Sequence, residues 1–205
     1  MSINQAFLDL VESTRLSIEE RLLHLPESSR LLSMYPQAGR VTAQQCLHAA
    51  PTICALLKVW AFSPRTTGAV AAKFAEYGRE PSLSHDVTGR ALMCFGLARV
   101  YRLIAKQYAT PEFAQLFLRV MCLSVLDDRA LEQVDWVAQA VYASRHSTSS
   151  QDWLAPALLF TVWTTKIESS QKARQIAGLL DALDDYTVKA WEYALANQLY
   201  LEYPC

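Results

Sequence analysis

Apolar residues in this chain return every three or four positions, and no stretch keeps up a strict apolar–polar alternation. That spacing gathers side chains on one side of an α-helix and predicts an all-α protein. A first helix is expected from about Asn4 to Leu23, with Phe7, Leu8, Val11, Ile18, Leu22 and Leu23 on roughly one side and Pro26 stopping it. A short helix over Ser28 to Tyr35 is expected next, ahead of Pro36. Thr42, with Gln45 three residues on, has the form of a capping box and opens a further helix. Pro51 suits the first turn of the helix after that, where its missing N–H is not needed. Ile53, Leu56, Leu57 and Trp60 would form the apolar stripe of that helix, which ends at Ser63-Pro64.

The same reading gives a helix over Thr66 to Tyr77 ended by Gly78, a loop at 78–85, and helices from Asp86 to Phe95 and Leu97 to Tyr108 separated at Gly96. Thr110-Pro111 opens a strongly apolar helix through Leu126. Asp128 caps a helix ending near Arg145, His146 to Ser150 form a polar loop, and helices over 152–167, 170–183 and 185–201 follow. The expected architecture is a compact multi-helix bundle of about ten to twelve helices, with residues 1–24 as an N-terminal helix and 25–205 as a single helical domain.

Composition narrows the function classes. Charged residues are 19% and hydrophobic residues 52%, enough apolar side chain for a core. Lys plus Arg is 19 and Asp plus Glu is 20, so no net basic charge speaks for nucleic acid, which is not an expected partner. The uncharged run Trp153 to Thr165 has 13 residues. That is short of the roughly 18–20 needed to cross a bilayer and fits a central buried helix, so no membrane partner is expected. The first residues, Met-Ser-Ile-Asn-Gln, lack a basic segment followed by an apolar one, and the expected location is cytoplasmic.

Candidate chemistry is sparse. Cys46, Cys54, Cys94, Cys122 and Cys205 include no Cys-x-x-Cys pair; the internal four read as small buried groups and Cys205 as a free terminal thiol. No His has another at i+3 or i+4, and glycine-rich phosphate loops and nucleophile elbows are missing. One His-Asp dipeptide occurs, His85-Asp86, at an expected loop-to-helix junction. A metal-dependent hydrolase could use it with His48 upstream and Asp127 or Asp128 downstream. Asp86 also has an ordinary role there as a helix cap or first-turn acid. Asp181, Asp184 and Asp185 form an acidic cluster that reads as solvated helix ends. Arg99, Arg102 and Lys106 share a helix face, with Arg90 nearby, and are the candidate site for a small anionic ligand. Leu97, Val100, Leu103 and Ile104 would take the opposite, buried face. Trp191, Tyr193, Tyr200 and Tyr203 near the C-terminus are expected mainly in the core.

Three ordered stretches carry a resemblance. The first is Leu25-Pro26, Arg30-Leu31-Leu32, Val41-Thr42, Ala50-Pro51, Leu56-Leu57 and Ser63-Pro64. The second is Ala91 to Leu103, and the third Ala173 to Leu183, which includes Ala-Gly-Leu-Leu-Asp-Ala. Together they resemble the HDOD domain, a bacterial relative of the HD phosphohydrolases. Ala50 stands where that family has an acid before the proline, the stretch between Pro64 and Val87 is longer, and Asp181-Ala182 replaces the usual His-Asp. The resemblance therefore implies an HD-like helical scaffold without the catalytic metal centre, and with no cofactor, since a metal site needs imidazoles together with carboxylates. It implies a regulatory or signalling module that acts on a protein partner rather than an enzyme. The alternatives are a divergent HD-type phosphohydrolase using His48, His85 and Asp86, and a nucleotide- or nucleic-acid-responsive sensor using Arg99, Arg102 and Lys106.

Overall fold

The structure, a computed structural model, describes residues 5–25, 42–75, 85–105, 111–126 and 185–202. These are helical apart from caps, turns and the last few residues, with no strand among them, so the all-α reading holds for the described residues. The helices are α1 (Gln5–His24), α2 (Ala43–Ala61), α3 (Pro64–Ala75), α4 (His85–Ala105), α5 (Pro111–Val125) and α6 (185–196). The helices expected over Ser28–Tyr35, Asp128–Arg145, 152–167 and 170–183 lie outside the described residues. No described helix is long and apolar enough to cross a membrane.

Local chemistry accounts for several boundaries. Thr42 Oγ1 accepts from the Gln45 amide at 3.1 Å, and Gln45 Oε1 accepts from the Thr42 amide at 2.8 Å. This reciprocal pair satisfies two otherwise open donors at the head of α2. α2 ends where the Phe62 amide donates to Lys58 O at 3.1 Å and the Ser63 amide to Trp60 O at 3.2 Å. Pro64 then takes the first position of α3, and Pro111 the first of α5.

Two expected breaks are absent. Pro51 lies inside α2, which runs unbroken for 19 residues, rather than in the first turn of a second helix. A proline there removes the donor for Leu47 O and costs about 3 kcal/mol. What offsets it is burial: Ala49, Ala50, Pro51, Thr52, Ile53, Cys54 and Ala55 are consecutive buried residues, so this part of α2 is enclosed on every side. α1 and α5 pack on α2, and so does α4.

Gly96 likewise does not divide α4, which runs from His85 through Ala105. It permits contact. A Cβ added at Gly96 would lie 2.8 Å from Leu57 Cδ2, and one at Gly89 would lie 2.5 Å from the Phe62 ring. The two glycines are seven residues apart, two helical turns, so both face α2. Beyond them Leu97, Val100 and Ile104 are fully buried and Leu103 packs against the same core, as their spacing predicts.

α1 departs from its expected stripe. Val11, Thr14, Ile18 and Leu22 are buried, whereas Leu8, Leu16 and Leu23 are exposed. Thr14 can take a buried position because its hydroxyl donates to Leu10 O at 2.7 Å. α6 docks through aromatic rings. Tyr186 stacks on Trp60 with centroids 5.2 Å apart and donates its hydroxyl to Leu56 O at 3.3 Å, while Trp191 meets Phe117 edge-on at 6.1 Å.

Glycine-to-alanine substitution should change sign with position. Alanine improves helix propensity by about 1 kcal/mol. At Gly68, exposed on α3 with nothing within 4 Å of a new Cβ, that gain should appear as higher stability. At Gly96 the fully buried Leu57 cannot withdraw, and overpacking of about 1–3 kcal/mol should outweigh it. Denaturant unfolding of Gly68→Ala and Gly96→Ala measures both; stabilisation by Gly96→Ala would contradict the packing described.

Candidate functional site

The richest polar assembly among the described residues forms where the chain's C-terminal segment crosses α2 and α1. His48 lies on α2, one turn before Thr52, with Pro51 between them. Its imidazole is half-buried, and that burial favours the neutral ring and lowers its pKa. The Tyr200 ring lies against it, centroids 5.7 Å apart and tilted by 52°. The backbone carbonyl of His48 accepts from the Leu199 amide at 2.9 Å. Thr52 Oγ1 donates to Asn197 O at 3.3 Å.

The α1 side of this assembly is built from charge. The Arg15 guanidinium donates to both oxygens of Glu12, at 2.6 and 2.9 Å, and to Glu19 Oε1 at 2.5 Å. Glu12 is exposed, and its hydrogen bond from Arg15 holds its carboxyl below the usual range. Glu19 Oε1 also accepts the Glu202 amide at 2.8 Å, tying the far end of the segment to α1. Between Leu199 and Glu202, Leu201 is 2% exposed and joins the core.

The other residues nominated from the sequence fall elsewhere. His85 opens α4. Asp86 is exposed in the first turn of that helix, and its carboxylate accepts from Arg90 Nε at 3.0 Å, an ordinary i,i+4 pair. Arg90 thus already has an acidic partner. Arg99 is half-buried on α4, with Nε shut off from solvent, and Arg102 lies on the same helix. Lys106 lies outside the described residues, as do Asp127, Asp128, Asp181 and Asp184. Among the described residues no group of three His, Cys, Asp or Glu is placed to hold a metal ion.

The cysteines that can be described fit the expected structural role. Cys46 and Cys54 are buried. Burial pushes the Cys54 thiol up to about 12, against a weaker pull from Lys58, so it stays protonated and unreactive near neutrality. The C-terminal aromatics divide: Trp191 is buried, but Tyr193 and Tyr200 are exposed, so they are split between core and surface rather than mainly in the core. Tyr203 lies outside the described residues.

Sequence reasoning placed a helix over 185–201, whereas α6 ends at 196. It therefore missed the contacts of Leu199, Leu201 and Glu202. The four residues Leu199 to Glu202 are too short a stretch for periodicity to separate extended chain from helix.

Compared with known proteins, the chain matches no family model, no curated protein and no solved structure.

Burial of His48 implies a pH effect with a definite sign. Its pKa is lower in the folded chain, so the unfolded chain takes up the proton first as pH falls below about 6.5. Its contribution is full above that range and is lost as pH drops through it. Urea unfolding from neutral to mildly acidic pH should show stability falling with pH, and His48→Gln should flatten the slope. An unchanged slope would contradict the assignment.

Proposed function

We propose that this protein is a non-catalytic helical module that works through protein–protein contacts, a regulatory or signalling adaptor of the HDOD type. The observation that supports partner binding most directly is on α1. Leu8, Leu16 and Leu23 are 43, 54 and 59% exposed. At 100° per residue they fall within an arc of about 80°, so they share one flank of the helix. Exposed leucines gathered on one flank are a feature of contact surfaces. Glu12 and Glu19 lie within the same arc and Arg15 at its edge, and their ion pairs would add polar contacts to an apolar patch.

The HDOD part of the reading rests on the order of the resembling stretches. Ala50-Pro51 and Leu56-Leu57 fall on α2, and Ala91 to Leu103 on α4, two helices that pack on each other. The half-buried His48 and the Asp86–Arg90 pair are consistent with a scaffold whose polar groups serve structure.

Proteins retained by the immobilised chain should be compared with those retained by a Leu16→Glu/Leu23→Glu variant. Both sites are exposed, so the variant should keep its stability within about 0.5 kcal/mol. The proposal expects a binder held by the parent chain and released by the variant; equal retention would contradict it. Turnover of nucleotide phosphates that needs a divalent metal and is abolished by His85→Ala would instead establish the hydrolase reading.

A further inference from the structure

We propose that residues 197–202 form a detachable strap that closes over α1 and α2 and opens as a unit while the helices stay folded. The segment leaves α6 where the Asn197 amide donates to Tyr193 O at 3.0 Å and to Ala194 O at 3.3 Å. It then runs back along α2. Asn197 meets Thr52 and Leu199 meets His48. The fit is metric: four helical residues advance about 6 Å, and two extended residues about 6.6 Å.

The strap's attachments are few and well defined. One side chain, Leu201, is fully sequestered. Three hydrogen bonds reach α1 and α2: Thr52 Oγ1 to Asn197 O, the Leu199 amide to His48 O, and the Glu202 amide to Glu19 Oε1. Each joins a strap backbone group to α1 or α2, so none depends on a strap side chain. The outward side chains, Gln198, Tyr200 and Glu202, are exposed. Six residues outside regular structure are thus ordered by one apolar anchor, and the backbone entropy regained on release is of similar size to what the contacts supply.

The dock itself is prepared. Pro51 lies between the two α2 contacts and removes one rung of the helical hydrogen-bond ladder there. The carbonyl left without its helical donor is that of Leu47, and its neighbour His48 O is the one that accepts the Leu199 amide. Release would uncover the His48 ring, against which Tyr200 now lies, together with the part of the core that Leu201 joins.

Native-state hydrogen exchange on the full chain tests this. The Leu199 and Glu202 amides should exchange at least about 100-fold faster than the Cys54 amide within α2, through an opening insensitive to low denaturant. The protection factor of Leu199 then sets a ceiling. Leu201→Asp should accelerate exchange at Cys54 by no more than that factor, because releasing the strap relieves the buried charge. Exchange of Leu199 and Glu202 at the Cys54 rate and denaturant dependence would overturn the proposal. So would a Leu201→Asp chain that unfolds, or whose Cys54 amide accelerates beyond the ceiling.

Discussion

The close approach of α2 and α4 is the constraint on which the described core depends. Gly89 lies under the Phe62 ring and Gly96 under Leu57, at distances that leave no room for a Cβ. With the two backbones this near, Leu57, Leu92, Met93 and Leu97 are all removed from solvent. α1 and α5 then enclose other sides of α2, and the rings of Tyr186 and Trp191 bring α6 onto Trp60 and Phe117. A helix enclosed in this way needs no polar face. That is why α2 carries a run of alanine, cysteine and isoleucine, and why it accommodates an internal proline.

The same enclosure shapes what the site can do. A histidine on α2 is held partly in an apolar setting and stays neutral more readily, while a thiol one and a half turns beyond it is silenced by burial. The charged groups with clear partners, Arg15 with Glu12 and Glu19 and Arg90 with Asp86, lie on outer helix surfaces and pair within their own helices. Surface pairs of this kind add little stability. Glu19 is the informative exception, because it also holds the backbone of a segment 183 residues away. The described chemistry is thus that of holding elements together.

How much was legible follows from how local each determinant is. The Thr42–Gln45 box, the first-turn prolines Pro64 and Pro111, and the buried face of Leu97, Val100 and Ile104 are decided within a turn or two of chain, and the sequence reveals the box, Pro111 and the face directly. Ser63-Pro64 marks the end of α2 as its sequence implies, and Pro64 also opens α3. Pro51 and Gly96 mislead for one reason: both residue types ordinarily punctuate, yet here tertiary packing decides. Leu8 and Leu23 mislead because apolar spacing by itself predicts burial, while Thr14 takes the interior with its hydroxyl bonded to its own helix. The strap was hidden because Glu19, His48 and Thr52 meet it across the length of the chain, and no spacing rule reaches that far.

The central claim, that direct contact between Gly96 and Leu57 sets the separation of α2 and α4, is tested by a double-mutant cycle with Leu57→Ala. Removing the Leu57 methyls vacates the space an alanine at 96 would need. The account predicts strong coupling: Gly96→Ala destabilises the parent chain but is neutral or stabilising once residue 57 is alanine, a difference of about 1 kcal/mol or more in denaturant unfolding. Effects that add within about 0.5 kcal/mol would mean that the two residues do not meet as described.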